Sequence, residues 1–310
     1  MARFAAWGPD FQGPGDDNSG VGRLSSLAYP GAVTEPSPVR EQEPLEREIA
    51  EARWYHVLAL PGGVVTPGEY DLRGIVGRLP MPASLEGARC LDIGGRDGFY
   101  AFEMERRGAE QVVSVDIDDP DRVHFPGPRP DTELIRTELA AGNRAFEVAR
   151  RALASRVERR HLSIYEIGSG ELGRFDFAVI GTLLIHLRDP VSALASVRAA
   201  LDGRLLLNEA VIPAIRPSLR RRAIAEPLMS GGPFWWLCNP AGLRHLLAAA
   251  GFEVLETGRP YLIPYGPGRE PDPLGQCFRR PLIDVPRRLI ERGGTLHCCL
   301  LARPAQVLDD

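Results

Sequence analysis

From about residue 85 onward, short apolar runs rich in leucine and β-branched residues alternate with longer stretches that are apolar on one face only. The runs predict strands near 89–93, 111–117, 160–165, 175–180 and 204–211. The stretches between them predict helices near 99–107, 143–154 and 190–201. Strands that alternate with helices in this way call for a parallel sheet covered by helices on both faces. Asn239 and Pro240 suit the cap and first turn of a further helix, which Gly251 stops. Runs at 252–257 and 296–302 supply two last strands. Ahead of this block, 44–55 is helix-like, with Pro44 in its first turn and Leu45, Ile49 and Ala52 on one face. It leads into the glycine- and proline-rich loop PGGVVTPG at 61–68. The chain before it has little period. The expected organisation is an irregular arm over 1–43, a helix and cover loop over 44–84, and an α/β domain over 85–310 with an insertion at 212–238. The proline-broken stretch 262–286 reads as a surface excursion, and no internal repeat is visible.

The first strand ends in CLDIGGRDGFY, and Asp116 closes the second strand 18 residues after Gly98. A strand running into glycines and then a helix, followed by an acid at the end of the next strand, is the pattern of a nucleoside pocket: the acid accepts from both ribose hydroxyls. A pyrophosphate would need glycine where Arg96 and Phe99 stand, which argues against a dinucleotide. S-adenosylmethionine carries no phosphate, and one open turn with a polar partner, Asp92, Gly94 and Gly98, suits its amino and carboxylate groups. Ligands of such sheets lie outside the carboxyl ends of the strands. Asp116 with Ile117 is therefore expected at the ribose, Ser163, Ile164 and Tyr165 at the adenine, and Gly181 and Thr182 at the methionine portion.

The run LDIGGRDGFYAFEMERRGAEQVVSVDIDDP resembles the first two motifs of class I S-adenosylmethionine-dependent methyltransferases, and HLSIYEIGSGELGRFDFAVIGTLLIHLRDPVSALASVRAAL and NEAV continue the likeness in the usual order. More narrowly, WYHVLALPGGVVTPGEYDLRG, LLIHLRDP and FWWLCNPAGLRHLLAAAGFEVLE resemble the branch that includes tRNA wobble-uridine methyltransferases and carboxymethyltransferases. The resemblance covers about 54–301. It implies a doubly wound, mostly parallel seven-stranded Rossmann-like sheet with an antiparallel last strand, S-adenosyl-L-methionine as cofactor, and an N-terminal segment folded over the mouth of the site.

Composition narrows the partner. The 310 residues, 44% of them hydrophobic, suffice for a full core. A net charge of −4 leaves RNA open but unfavoured, because nucleic-acid binding rests on basic surface. All 37 basic residues are arginine. A carboxylated cofactor would thus need an arginine partner, and the sequence names none. Cys90, Cys238, Cys277, Cys298 and Cys299 have neither a paired framework nor metal-ligand spacing and read as free thiols of a reducing compartment. With no secretory leader pattern and no membrane-length apolar run, the expectation is a cytoplasmic protein.

Methyl transfer is an in-line displacement, so alignment supplies much of the rate, and a base near the acceptor adds to it. His186, just past the fourth strand, is the first candidate base. The competing reading is a structural histidine bonded to backbone or to Asp189. Glu209, ending the fifth strand, is a candidate orienter of the acceptor, and His56 a second candidate base. Trp235 and Trp236, adjacent before a capped helix, are unsuited to share one core, so one is expected in the substrate cavity. Phe99 and Tyr100 are further aromatic neighbours for a sulfonium. The run Arg220, Arg221 and Arg222, with Arg216, suits a solvated face more than a phosphate grip. No metal site is expected. The leading expectation is methyl transfer to a small-molecule acceptor in a biosynthetic tailoring step. The alternatives are a tRNA uridine methyl or carboxymethyl transferase and a non-catalytic S-adenosylmethionine-binding protein. The sequence sets no oligomeric state.

Overall fold

Side-chain alternation along the strands fixes the architecture. The computed structural model describes residues 38–213, 221–228, 232–271 and 289–306. Strands β1 (Arg89–Ile93), β2 (Gln111–Asp116), β3 (Glu158–His161), β4 (Phe175–Gly181) and β5 (Leu201–Ala210) pair in parallel, in the order β3-β2-β1-β4-β5. Cys90 and Val112 pack on one face, against α2 (Phe99–Arg106) and α3 (Thr132–Ala152). Leu91, Ile93, Val113 and Val115 pack on the other, against α4 (Pro190–Ala199) and α5 (Pro240–Ala249). This two-residue period buries both faces, as a parallel sheet between helices requires. The chain leaves β1 toward β2 and returns on the opposite side as β4, so a crevice opens at the carboxyl ends of β1 and β4.

After β5 the insertion forms a small hairpin, β6 (Ala225–Pro227) with β7 (Trp236–Cys238). Strand β10 (Gly294–Pro304) runs antiparallel to β5 and pairs on its other edge with both β8 (Phe252–Thr257) and β9 (Tyr261–Pro264). The sheet therefore has eight strands rather than seven: the start of the expected excursion at 262–286 is a strand, because Tyr261 and Ile263 bury against the N-terminal segment. Three boundaries also differ from the pattern. Helix α1 spans Pro38–Glu51 and starts before Pro44. Helix α3 starts eleven residues before Asn143, where Asp131 caps it by accepting from the Glu133 amide at 2.7 Å. Strand β3 stops at His161, because Ser163 and Glu166 form a reciprocal capping box that winds 164–169 into a 3₁₀ turn. The arm 1–37, Arg216, Arg220 and Cys277 lie outside the described residues. Among those described, Cys90, Cys238, Cys298 and Cys299 are buried free thiols, and no helix is long and apolar enough to cross a membrane.

Candidate active site

A cavity of about 230 Å³ lies at the crevice, floored by the ends of β1 to β4. Gly94, Asp116, Ile117, Ser163, Ile164, Tyr165, Gly181 and Thr182 all line it. At Gly94 the left-handed φ of 74° turns the chain, and its amide donates to the Val115 carbonyl at 2.9 Å. Asp116 accepts from the Arg96 amide at 3.0 Å, the Ile117 amide at 2.8 Å and the Arg159 guanidinium at 3.2 Å. A carboxylate has about four acceptor positions, so Asp116 keeps one for a ligand hydroxyl rather than the two expected.

Two of the proposed cofactor residues are elsewhere. The Asp92 carboxyl is 1% exposed and bonds to the Ser114 hydroxyl at 3.3 Å, beneath the turn. Burial pushes its pKa up to about 7 against the pull of Arg159. A Cβ on Gly95 would come within 2.5 Å of that carboxylate, so Gly95 is bare to let this buried pair fit. Gly98 is absent from the cavity wall. It stands at the start of α2 with φ 87°, and a Cβ there would meet the Phe102 ring at 2.5 Å.

The opposite wall comes from the N-terminal segment and the loop after β4. His56 lines the cavity, and its Nδ1 lies 2.6 Å from Asp97 Oδ1, while Asp97 Oδ2 accepts from the backbone amides of Tyr55 (2.8 Å) and His56 (2.6 Å). Burial alone would raise the Asp97 carboxyl. The His56 ring and the two amides outweigh it and hold the group below the usual carboxylate range. Facing an ionised carboxylate, Nδ1 carries the proton and Nε2 is the basic atom. A chamber of about 10 Å³ beside His56 is lined also by Tyr100, Thr182 and His297.

His186 also lines the cavity, but its Nδ1 donates to the Pro233 carbonyl at 2.8 Å and burial lowers its pKa to about 4. It is thus bonded to backbone and too weak a base for proton removal near neutral pH. Asp189 is not its partner, for it caps α4 through the Ser192 amide at 3.0 Å. Glu209 does not reach the cavity. It is 1% exposed and accepts from the Leu183 and Leu184 amides at 2.8 Å each, with burial pushing its pKa up to about 8. The expectation of a tryptophan in the pocket is corrected too. The Trp235 indole donates to the His124 carbonyl at 3.1 Å and the Trp236 indole to that of Arg188 at 3.2 Å, and their neighbours Pro233 and Phe234 face the cavity instead.

Sequence reasoning missed Asp97, Arg159 and His297. Asp97 had a signal, an acid inside the glycine turn itself. Arg159 and His297 had none, since each acts on a partner from another strand. Among the described residues, no three His, Cys, Asp or Glu side chains gather as a metal site, and Arg221 and Arg222 are exposed.

Residues 68–257 match a family described as a methyltransferase domain. A ubiquinone biosynthesis O-methyltransferase of Alkalilimnicola ehrlichii is 29% identical over 174 residues, which are 54% of this chain and 58% of that protein, so the chain spans less than two thirds of that relative. Among solved structures, 1,6-didemethyltoxoflavin-N1-methyltransferase of Burkholderia thailandensis, with 1,6-didemethyltoxoflavin and S-adenosylhomocysteine bound, aligns with a TM-score of 0.43 at 18% identity, over 71% of this chain and 72% of that one. The YcgJ protein of Bacillus subtilis aligns with a TM-score of 0.47 at 13% identity, over 76% and 98%.

Proposed function

The chain belongs to the family of methyltransferase domains, whose cofactor is S-adenosylmethionine, and on that premise we propose that it methylates an oxygen or nitrogen of a small molecule, with His56 as the base. The observation that carries this reading is the His56–Asp97 pair on the wall of the strand-end cavity.

The residues present suit the cofactor. It is phosphate-free, and the floor offers an acceptor position on Asp116 and a glycine at the end of β1 rather than a row of bare amides. Asp116 would hold the ribose, Ile117 and Ile164 would flank the adenine, and Gly94, Gly181 and Thr182 would border the methionine portion. When bound, the cofactor supplies a methyl group on a sulfonium, a strong electrophile. The chain's own part is to align the acceptor, exclude water and take its proton. His56 Nε2 receives that proton, and Asp97 holds the ring in the required tautomer and balances the imidazolium charge. A small acceptor fits better than RNA, because the cationic groups on the wall are engaged: Arg159 pairs with Asp116, Arg122 with Glu166, and Arg96 lies 4.0 Å from Glu138.

Calorimetry with S-adenosylhomocysteine, followed by transfer of a radiolabelled methyl group to metabolite and RNA fractions, tests the proposal. Binding and label in the metabolite fraction are expected. No binding, or label confined to RNA, would overturn it.

A further inference from the structure

The loop that follows β4 has spent nearly all its hydrogens before a ligand arrives. The backbone N–H groups of Thr182, Leu183, Leu184, His186 and Leu187 are already used. That of Thr182 goes to the Asn208 carbonyl, and those of His186 and Leu187 go to the carbonyls of Leu183 and Leu184. The Glu209 carboxyl takes those of Leu183 and Leu184. The side chains repeat the pattern. A carbonyl can only accept, so His186 Nδ1, 2.8 Å from the Pro233 carbonyl, carries the proton, and Nε2 is a lone pair on a residue that lines the cavity. His297 Nδ1 likewise donates to the Thr295 carbonyl at 2.9 Å, which leaves its Nε2 to accept from Thr182 Oγ1 at 3.1 Å. The Thr182 hydroxyl proton is therefore spent on His297, and only oxygen lone pairs remain for the cavity. On the facing segment the His56 Nδ1 proton is spent on Asp97, so Nε2 is an acceptor as well. Leu183, Ile185 and Phe234 add hydrocarbon to this wall, and Tyr55 and the Arg96 guanidinium, 4.0 Å from Glu138, line the cavity beside it.

A carboxylate or phosphate held against the loop after β4 would meet lone pairs and hydrocarbon. It would lose its water and gain no partner from this loop. An O–H or N–H would find one.

We propose that the methyl acceptor is recognised as a hydrogen donor: an uncharged, largely apolar molecule with at least two O–H or N–H groups, the reacting one directed to His56 Nε2 and a second held by His186 Nε2. This rests on the small-molecule methyltransferase reading and adds His186 to it as a specificity residue. Glu209 is the positioning residue behind it, since it occupies amides that would otherwise form an anion cradle.

The test is ligand-observed NMR titration of the full chain loaded with S-adenosylhomocysteine. The probes are naphthalenediols of varied spacing, their monomethyl and dimethyl ethers, and hydroxynaphthoates. Affinity of the best diol should fall roughly two- to tenfold for each hydroxyl capped as an ether, and the naphthoates should bind more weakly than the naphthols. In His186→Phe the diol should bind no better than its better monoether. His186→Gln, which keeps an acceptor, should restore part of the difference. A monoether equal to its diol in the unaltered protein, a naphthoate that binds more tightly, or a diol preference that survives in His186→Phe would each overturn the inference. Because the loading step reads cofactor binding separately, failure to load counts against the methyltransferase reading, and a wrong probe order after loading counts against this inference alone.

Discussion

Replacing Asp97 by Asn changes the state of His56 with little change of shape. The Asp97 side chain is buried, with 0% exposure, and accepts three hydrogens: the Tyr55 and His56 amides on Oδ2 and the His56 ring on Oδ1. In Asp97→Asn the single carbonyl oxygen can serve the two amides, and the NH₂ then faces Nδ1. Two N–H groups cannot face each other, so the ring changes tautomer and Nδ1 becomes the acceptor. Nε2 then carries a hydrogen toward the cavity and cannot take one from the acceptor. Loss of a positioned base costs about 10²- to 10⁴-fold in kcat, whereas the Kd for S-adenosylhomocysteine should stay within about twofold, since no proposed cofactor contact is touched. Three charge-assisted bonds become neutral, at a cost of about 1–3 kcal/mol in stability. The sign of its pH dependence follows from Asp97 being held below the ordinary carboxylate pKa: its contribution is present above about pH 4 and is lost as pH falls through its lower folded value, so the stability gap to the variant closes in acid. Methyl transfer with both substrates saturating, calorimetry, and urea unfolding at pH 7 and pH 3.5 read the three quantities. A variant with kcat within threefold of the parent refutes His56 as the base and leaves the pair as an anchor of the N-terminal segment.

Asp116→Asn should weaken S-adenosylhomocysteine binding by about tenfold, as one charged hydrogen-bond acceptor is lost; calorimetry showing equal affinity would remove Asp116 from the ribose site. Glu209→Ala leaves the Leu183 and Leu184 amides buried without partners, at about 2–6 kcal/mol for the pair, whereas Glu209→Gln keeps an acceptor and should cost about 1 kcal/mol. The Glu209 pKa is raised to about 8, so the folded state holds its proton more tightly, and the parent should lose stability relative to Glu209→Gln between about pH 4.5 and pH 8 in urea titrations. A flat difference across that range would show that the carboxyl is ionised in place. Gly98→Ala should cost about 2–4 kcal/mol, combining the left-handed backbone with the contact on Phe102, and a thermal midpoint within 2 °C of the parent would contradict that.

What the sequence showed most clearly is what lies along one short segment. Strands, their order of appearance and the residues at their ends are local patterns, and Asp116, Ile117, Gly181 and Thr182 were legible as cavity residues because position at a strand end is itself the signal, whereas Ser163, Ile164 and Tyr165 line the cavity from the turn after β3 rather than from its end. Helix α3 was legible only in its second half, since residues 132–134 are exposed and give no apolar period, and Gly142 reads as a break. In the fold Gly142 is helical and lies under the Arg96 side chain, whose Nε would be 3.5 Å from a Cβ there. Partners across the fold were not legible at all. His56 and Asp97 are 41 residues apart, Asp116 and Arg159 43, and Thr182 and His297 115; each pair is made by closure of one element on another.

The turn at 94–98 shows why a motif is a poor guide to what its members do. As a sequence it reads as a cradle of glycines for a ligand. In the structure its residues serve different partners: Gly94 faces the cavity, Gly95 makes room for Asp92 and Ser114, Asp97 holds His56, and Gly98 makes room for Phe102 and Phe146. Arg96 sits between them at a φ of 41°, a left-handed conformation that costs a non-glycine residue about 1–2 kcal/mol. What offsets that strain is its amide bond to Asp116 at 3.0 Å, a charge-assisted bond worth more than a neutral one. The acid proposed to read the ribose therefore also holds the strained turn, and the same turn carries the acid that orients His56. The proposed ribose site and the proposed base are thereby both tied to one five-residue loop, so a change at Asp116 is expected to disturb His56 through Arg96 and Asp97, whereas a change at Asp97 leaves the Asp116 contacts in place.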